Sequence, residues 1–157
     1  MSEYPRVVAG VALMCGSHAT AEDSVQEALA RAWERGERGE RIESPRAWVT
    51  TVATNLARSG YRRRWTERRA QERLSSAEPR EPTGASVDLR RALAELPARQ
   101  REMVVLRYYL DMDVREVATA LKVNEGTVKT SLHRARKSLA AALGDDDLEE
   151  ANDRAGR

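Results

Sequence analysis

Residues 113–139 read DVREVATALKVNEGTVKTSLHRARKSL, and this stretch decides the fold of the C-terminal half. Asp113 and Glu116 have the spacing of a capping box, which begins a helix. Asn124, a favoured N-cap residue, begins a second helix three residues after the first one ends. Two short helices joined by so tight a turn, the second of them basic, predict a helix-turn-helix. The apolar residues expected on the inner side of the second helix are Val128, Leu132, Ala135 and Leu139.

The outer side of this second helix is a candidate DNA contact. A recognition helix lies in the major groove and reaches base edges with its N-terminal turns. Hydroxyl side chains suit bases or phosphate, whereas lysine and arginine suit phosphate. The alternative is an ordinary amphipathic helix that ends a bundle. The candidate residues are Thr127, Lys129, Thr130, Ser131, His133, Arg134 and Lys137.

A second candidate nucleic-acid contact begins at Ser44-Pro45, where Ser as N-cap and Pro at the first position predict a helix start. One side of this helix is apolar, and the other shows Thr51, Thr54, Asn55 and Arg58. If the helix continues through Ser59-Gly60, arginines that neutralise phosphate alternate with aromatic rings on which unpaired bases stack, at about 1–3 kcal/mol per base. The Asn55 amide has both a donor and an acceptor with which to read a base edge. The candidate residues are Asn55, Arg58, Tyr61, Arg62, Arg63 and Arg64.

An amphipathic helix is predicted to precede this segment, with Thr20–Asp23 in capping-box form at its start. Its apolar residues at offsets 0, 3, 4, 7 and 8 predict one buried face, so Trp33, like Trp48, is expected in the core. Gly36–Glu43 is predicted to be a loop. The apolar residues are Val25, Ala28, Leu29, Ala32 and Trp33, and the residues expected to stay exposed are Asp23, Gln26 and Glu27.

Composition and length favour an all-α protein of two small helical domains joined by a flexible linker, the second containing the helix-turn-helix. Aromatic residues make up only 4% of the 157 residues, Phe is absent, and Ala, Leu, Arg and Glu are abundant. The segment 75–86 has two Pro, one Gly and no large apolar residue, so it is predicted to be the linker. The expected domains are therefore 1–74 and 87–144, followed by an acidic, disordered tail over 145–157.

The net charge of +2 conceals a segregation of charge along the chain. Residues 45–73 hold eight arginines against two glutamates, and residues 122–138 are also basic, whereas residues 145–150 hold five acids and no base. Two separate basic blocks indicate two contacts with a polyanion. Solvated helix faces are the alternative explanation for such charge.

Catalytic, metal and membrane functions are disfavoured. The two histidines, His18 and His133, lie in different halves, and no Gly-rich phosphate loop follows a strand. Cys15 is the single cysteine and is expected to be a small buried apolar residue; with His18 it makes only two of the ligands that a zinc site needs. No cofactor is expected. No apolar run approaches the roughly 18 residues of a membrane span and no secretory signal is apparent, so the cytoplasm is the expected location.

Four segments together resemble the extracytoplasmic-function (ECF) group of sigma-70 factors. AEDSVQEALARAW over 21–33 resembles the polymerase-binding helix of sigma region 2, and Pro45–Arg64 resembles the segment that opens and reads the −10 element. LPARQREMVVLRYY over 96–109 and GTVKTSLHRAR over 126–136 resemble region 4, which reads the −35 element. Nothing between the halves is large enough for region 3, as in the ECF group.

The resemblance implies that Asp23, Gln26 and Glu27 dock on the clamp helices of the β′ subunit of core RNA polymerase. The Gly36–Glu43 loop, with Asn55, would capture an unstacked −10 base, and the arginines at 58 and 62–64 would hold the opened strand of promoter DNA. The second half would sit in the −35 major groove and touch the β flap, and an anti-sigma factor is a possible further partner. The chain departs from the pattern at Lys122, where Gly is more usual in the turn, and at Ser131, where such helices often carry Arg.

Two other classes of function remain open from sequence alone. A stand-alone helix-turn-helix regulator would use the first half for dimerisation or effector sensing and would bind palindromic duplex DNA without polymerase. A small enzyme would need a catalytic group that the sequence does not offer.

Overall fold

The computed structural model of the chain describes the backbone of residues 3–71 and 87–144, and the side chains of residues 3–60 and 87–144. The chain divides into two compact units, Met1–Thr83 and Gly84–Arg157. Every regular element in the described ranges is helical, which confirms the all-α prediction. The predicted linker (75–86) and acidic tail (145–157) lie outside the described residues.

Three helices form the first unit: α1 (Glu3–Cys15), α2 (His18–Glu37) and α3 (Pro45–Gln71). The packing of α2 against α3 is the most extensive, and α1 lies against both of them. Among the described residues, the buried members of its hydrophobic core are all valine or alanine, so the helices contribute small side chains to it. Its buried members are Val7, Val8, Val11, Ala12, Ala21, Val25, Ala28, Val49, Ala53 and Ala57.

The start of α2 differs from the prediction. Ser17 is the N-cap, and its Oγ accepts a hydrogen bond from the Thr20 N–H at 3.2 Å, so Thr20 already lies in the first turn. The capping box expected at Thr20–Asp23 is therefore wrong, because the serine three residues earlier satisfies the free N–H groups. In contrast, α3 begins at Pro45 as predicted and continues through Ser59-Gly60 without interruption to Gln71.

Four helices form the second unit: α4 (Val87–Glu95), α5 (Ala98–Val104), α6 (Val114–Leu121) and α7 (Glu125–Leu143). The last of these packs against the other three. A π-helical turn (Val105–Tyr109) directly follows α5. The Leu110 N–H donates to the carbonyl oxygen of Val105, five residues earlier, at 3.0 Å. The wider turn leads the chain out of α5 towards α6.

Hydrogen bonds at the helix ends establish the predicted helix-turn-helix. The Asp113 carboxylate accepts from the Glu116 N–H at 2.8 Å while the Glu116 carboxylate accepts from the Asp113 N–H at 2.9 Å, so the predicted capping box is present. The Asn124 Oδ1 accepts from the Thr127 N–H at 2.7 Å and caps α7. The prediction of a helix-turn-helix formed by α6 and α7 is thus confirmed.

Among the described residues, no helix is both long enough and apolar enough to cross a membrane.

One buried hydroxyl in the first unit lacks a hydrogen-bond partner. Thr50 is 1% exposed, and its Oγ1 reaches no acceptor or donor. One turn later, the Thr54 hydroxyl, also buried, donates to the Thr50 carbonyl oxygen at 2.7 Å. An unsatisfied buried polar group costs about 1–3 kcal/mol, so Thr50 lowers the stability of the first unit.

Replacing Thr50 with valine, which has nearly the same shape, is expected to raise the free energy of unfolding by about 1 kcal/mol because it removes the unpaired hydroxyl. Chemical denaturation of the full chain measures the change. Thr54→Val is the matched control and is expected to give no gain, since it removes a hydroxyl that is already bonded. Equal effects from the two substitutions would contradict this assignment.

Candidate nucleic-acid interface

The burial of four apolar side chains identifies the inner side of α7. Val128, Leu132, Ala135 and Leu139 are all at most 6% exposed, as the sequence predicted. Their spacing of four, three and four residues places them on one stripe along the helix. Because this stripe is held by α4, α5 and α6, the opposite side of α7 faces outward.

The outward side carries the candidate DNA residues. Ser131 is half-buried and the other six, Thr127, Lys129, Thr130, His133, Arg134 and Lys137, are exposed. Thr127, Thr130, Arg134 and Lys137 follow one another at helical spacing, over about 15 Å at 1.5 Å per residue. This length suits a helix lying along the major groove.

The basic residues on this face are free of internal charge partners. Within the described part of the chain, Lys129, Arg134 and Lys137 form no ion pair. The Thr127 hydroxyl, in contrast, donates to the Asn124 Oδ1 at 3.0 Å. Thr127 therefore offers only the lone pairs of its hydroxyl, and its methyl group, to an external ligand.

On α3 the candidate residues are only partly accessible. Asn55 and Arg58 are half-buried, and Thr54, which was expected on the outer side with them, is 3% exposed. The expectation for Thr54 was wrong because the buried surface of α3 is wider than the apolar stripe alone indicates. The side chains of Tyr61, Arg62, Arg63 and Arg64 lie outside the described ones, although the helix that carries them is continuous.

The three candidate polymerase-binding residues on α2 are exposed as predicted. The Gln26 amide nitrogen donates to the Tyr4 hydroxyl of α1 at 3.4 Å. The Glu27 carboxylate accepts from the Arg31 guanidinium at 2.7 Å, one turn further along the helix. Asp23, which precedes them, completes an exposed acid and amide face.

Leu29 and Trp33 are not in the core, and the prediction that placed them there was wrong. Leu29 is 43% and Trp33 is 73% exposed. The buried side of α2 is centred on Ala21, Ser24, Val25 and Ala28, and Trp33 is five residues from Ala28, or about 140° around the helix. The signal available in the sequence was the set of small residues Ala21 and Ser24, which shift the centre of the buried stripe away from Leu29 and Trp33.

Ion pairs stabilise the connection between α2 and α3. The Arg35 guanidinium lies 2.7 Å from the Glu40 carboxylate and 5.4 Å from the centroid of the Trp48 ring. Arg38 donates to the same carboxylate at 2.9 Å. The hydrogen bond from Arg38, with Arg35 beside it, holds the pKa of Glu40 below its usual range. The turn that starts the predicted Gly36–Glu43 loop is therefore tied to the end of α2, which continues to Glu37.

Within the ranges that the structure describes, no group of three or more His, Cys, Asp and Glu side chains is placed to hold a metal ion. Cys15, expected to be buried, is half-buried. Its Sγ donates to the Ser17 carbonyl oxygen at 3.3 Å, which places the thiol at the α1–α2 connection rather than in the core.

Two family models match the chain in order. Residues 1–67 match the model described as sigma-70 region 2, and residues 86–139 match sigma-70 region 4. The first match covers α1, α2 and most of α3, and the second covers the helix-turn-helix with α4 and α5 before it. The two halves therefore match two parts of one class of transcription initiation factor.

Curated relatives and solved structures agree with the matches to sigma-70 regions 2 and 4. The ECF RNA polymerase sigma factor SigL of Mycobacterium tuberculosis is 35% identical over 138 residues, which cover 83% of this chain and 78% of the relative. The sigma-E factor of Streptomyces antibioticus is 35% identical over 132 residues, covering 82% and 73%. The sigma factor RpoE of Bartonella quintana, solved with the anti-sigma factor NepR, superposes with a TM-score of 0.75 at 28% identity, covering 91% of this chain and 92% of that one. CnrH, solved with the cytosolic domain of CnrY, gives a TM-score of 0.59 at 25% identity, covering 90% and 82%.

The chain belongs to the ECF group of the sigma-70 family. Members of this family direct RNA polymerase to promoters by binding and are not enzymes.

Proposed function

We propose that this sigma factor selects promoters through two separate DNA contacts, one in each unit, while the outer face of α2 holds it on core RNA polymerase. Residues 1–74 bind polymerase and act on the −10 element, and residues 87–144 read the −35 element. The chain works in the cytoplasm, where polymerase acts, and has no catalytic step of its own. The single observation that carries the proposal is the outer face of α7, whose lysines and arginine have no ion-pair partner among the described residues.

At the −35 element, α7 lies in the major groove. Thr127, Thr130 and Ser131 meet base edges or nearby phosphates from the N-terminal part of the helix, which is the part that reaches into the groove. His133 follows on the same outward side. Lys129, Arg134 and Lys137 neutralise phosphates and set the register of the helix on the duplex.

At the −10 element, α3 acts on DNA that is being opened. Extruding a base costs a few kcal/mol, which contacts with the exposed strand must offset. Asn55 reads the extruded base, helped by the loop between α2 and α3, whose first turn the Arg35, Arg38 and Glu40 side chains hold. Arg58, Tyr61 and the three arginines at 62–64 hold the opened strand through phosphate contacts and stacking.

The polymerase-binding face combines polar and apolar groups. Asp23, Gln26 and Glu27 lie on the same outer side of α2 as Trp33, because positions 23, 26, 27, 30 and 33 follow each other at helical spacing. A tryptophan that is 73% exposed leaves a large apolar surface in water. Binding hot spots are rich in tryptophan, so Trp33, with Leu29 beside it, is the apolar centre of this face.

Two weak DNA contacts are sufficient for promoter recognition because polymerase holds both units at the promoter. Once one unit is bound, the second binds as an intramolecular event at a high effective concentration. The sigma factor therefore needs no tight promoter binding of its own. An anti-sigma factor, such as the one in the solved complex of RpoE with NepR, is a further partner that would compete for these faces.

Run-off transcription with core polymerase and a library of candidate promoters tests the proposal directly. Specific transcripts are expected only when the sigma factor and core enzyme are both present. Tight binding to a palindromic duplex without polymerase, unaffected by substitution of Asn55, would support the stand-alone regulator instead. No transcript from any template, with a folded chain, would refute the proposal.

Asp23→Lys is expected to weaken binding to core polymerase tenfold or more, about 1.4 kcal/mol, by reversing a charge at the docking face. Trp33→Ala is expected to do the same by removing the apolar centre, while the exposed position keeps the change in folding stability within about 0.5 kcal/mol. Fluorescence anisotropy with labelled sigma factor measures both. Asp88→Lys, the same charge reversal at an exposed site on α4, is the matched control and should leave the affinity unchanged. Unchanged affinity in the first two variants would place the docking surface elsewhere.

Arg62, Arg63 and Arg64 changed together to alanine are expected to impair promoter opening and to flatten its salt dependence. Three single-strand phosphate contacts contribute about 0.7 each to the slope of log K against log salt, so the slope should fall by about 2. A fluorescent base within the −10 element reports opening, and binding to core polymerase serves as the control. If opening were unchanged while −35 binding fell, the assignment of −10 opening to the first unit and −35 binding to the second would be wrong.

A further inference from the structure

Lys122 occupies a backbone conformation that favours glycine. It directly follows α6, with φ of 55° and ψ of 48°, in the left-handed helical region. Its N–H donates to the Thr119 carbonyl oxygen at 3.3 Å, and the next N–H, of Val123, donates to the Ala118 carbonyl oxygen at 3.0 Å. This pair of hydrogen bonds is a Schellman motif, which ends a helix and usually has glycine at the left-handed position.

Lysine is a costly residue for this position. Among the described residues, Asp111 and Lys122 are the two non-glycine residues with positive φ. Aspartate tolerates the left-handed region because its short polar side chain hydrogen-bonds locally, whereas lysine has no such compensation. Residues in unfavourable backbone conformations cluster at functional sites, so the conformation of Lys122 suggests a function for its side chain.

The turn places Lys122 just before the start of α7, the helix proposed to bind DNA. Lys122 is exposed and stands two residues before Asn124, the N-cap of α7. In a helix-turn-helix the first helix crosses the DNA backbone and the second enters the groove by its N-terminal end. The turn between them is thus held at the edge of the groove, where a phosphate lies within reach of a four-carbon side chain.

The ammonium group is available for such a contact. Glu125 follows three residues later, yet Lys122 forms no ion pair within the described part of the chain. Lys122 is thus a cation with no carboxylate partner, like Lys129, Arg134 and Lys137 on α7, although it belongs to the turn and not to the recognition helix.

We propose that Lys122 binds a backbone phosphate at the −35 element and that this contact is the reason a lysine occupies a backbone position suited to glycine. The inference rests on the proposed function and adds to it a sequence-independent anchor outside α7. A competing explanation is that the lysine complements the negative end of the α6 dipole, in which case its role is to stabilise the helix and not to bind DNA.

Lys122→Gly separates the two explanations because they predict opposite changes in stability. If Lys122 is a phosphate anchor, the glycine variant loses one duplex phosphate contact, and the slope of log K against log salt falls by about 0.9. Relative to wild type, the variant should therefore lose about eightfold more affinity at 0.1 M salt than at 1 M salt. The same variant relieves the backbone, so its unfolding temperature should rise by about 4 °C.

The DNA measurement uses holoenzyme reconstituted with core polymerase and a promoter fragment selected by run-off transcription, titrated across salt concentrations. Lys122→Arg keeps the charge and should keep the wild-type slope. Arg91→Gln removes one exposed positive charge from α4, outside the turn, and should also keep it. Thermal unfolding of the free chain completes the comparison.

An unchanged slope in Lys122→Gly would overturn the inference, as would an equal fall in Arg91→Gln, since net charge alone would then explain the effect. A lowered unfolding temperature would favour the dipole explanation and also overturn it. Wild-type holoenzyme that showed no salt-dependent promoter binding would refute the proposed function itself, and the inference with it.

Discussion

The close packing of α2 against α3 is the constraint on which the first unit depends. Ala21, Ala28, Ala53 and Ala57 are at most 2% exposed and belong to one core. Small side chains at a helix contact reduce the distance between helix axes. The pairing leaves little space for a large side chain between α2 and α3, and this explains why Trp33 and Leu29 stay on the outside. The same packing therefore creates both the core and the apolar part of the proposed docking face.

The second unit has a different kind of core, which also determines which side chains face outward. Its core contains large residues, among them Met103, Leu106 and Leu110, which are at most 2% exposed. Together with the stripe on α7 they hold the recognition helix by one side, and the Asn124 cap fixes where that helix begins. A one-residue shift of α7 would rotate its outer face by about 100°. The cap and the stripe thus decide which side chains form the outer face that is proposed to bind DNA.

Much of the second unit could be predicted from sequence because its signals are local. Asp113 and Glu116 bond to each other as their spacing indicated, and all four inner residues of α7 are buried. The π-helical turn after α5 was not predictable, since Val105–Tyr109 has the apolar pattern of an ordinary helix. The left-handed conformation of Lys122 was also hidden, because it follows from the hydrogen bonds that end α6 and not from the preference of lysine.

In the first unit, the wrong burial predictions for Leu29, Trp33 and Thr54 share one physical cause. The pattern of large apolar residues fixes neither the centre nor the width of a buried stripe, because both depend on the neighbouring helices. Around α2 the small residues Ala21 and Ser24 shift the stripe away from Trp33, which is therefore exposed. Around α3 it is wider, so Thr54 is buried although it shares a side with Asn55. The start of α2 was missed for a related reason, because Ser17 and Thr20 are both acceptable N-caps and only the fold selects one.

Internal hydrogen bonds and ion pairs distinguish the charges that serve the fold from those that are proposed to bind DNA. Arg101 donates three hydrogen bonds to the Leu93, Ala94 and Leu96 carbonyl oxygens at the end of α4, and Arg35 and Arg38 share Glu40. Such groups have little to gain from an external ligand, because binding it would first break an internal contact. Lys129, Arg134 and Lys137 have no ion pair to break among the described residues, so the proposed phosphate contacts would release counterions without breaking an internal ion pair.

Glu27 tests this distinction, since it belongs to the proposed docking face and is nevertheless paired with Arg31. Both side chains are about half exposed, at 52% and 50%, and an exposed ion pair contributes no more than about 1 kcal/mol. A cation on a partner surface can therefore replace Arg31 at small cost. Before docking, the pair restrains the Glu27 side chain on α2, which would lower the ordering cost of the proposed contact with polymerase. The three hydrogen bonds of Arg101 to backbone carbonyl oxygens, in contrast, commit that side chain to the fold.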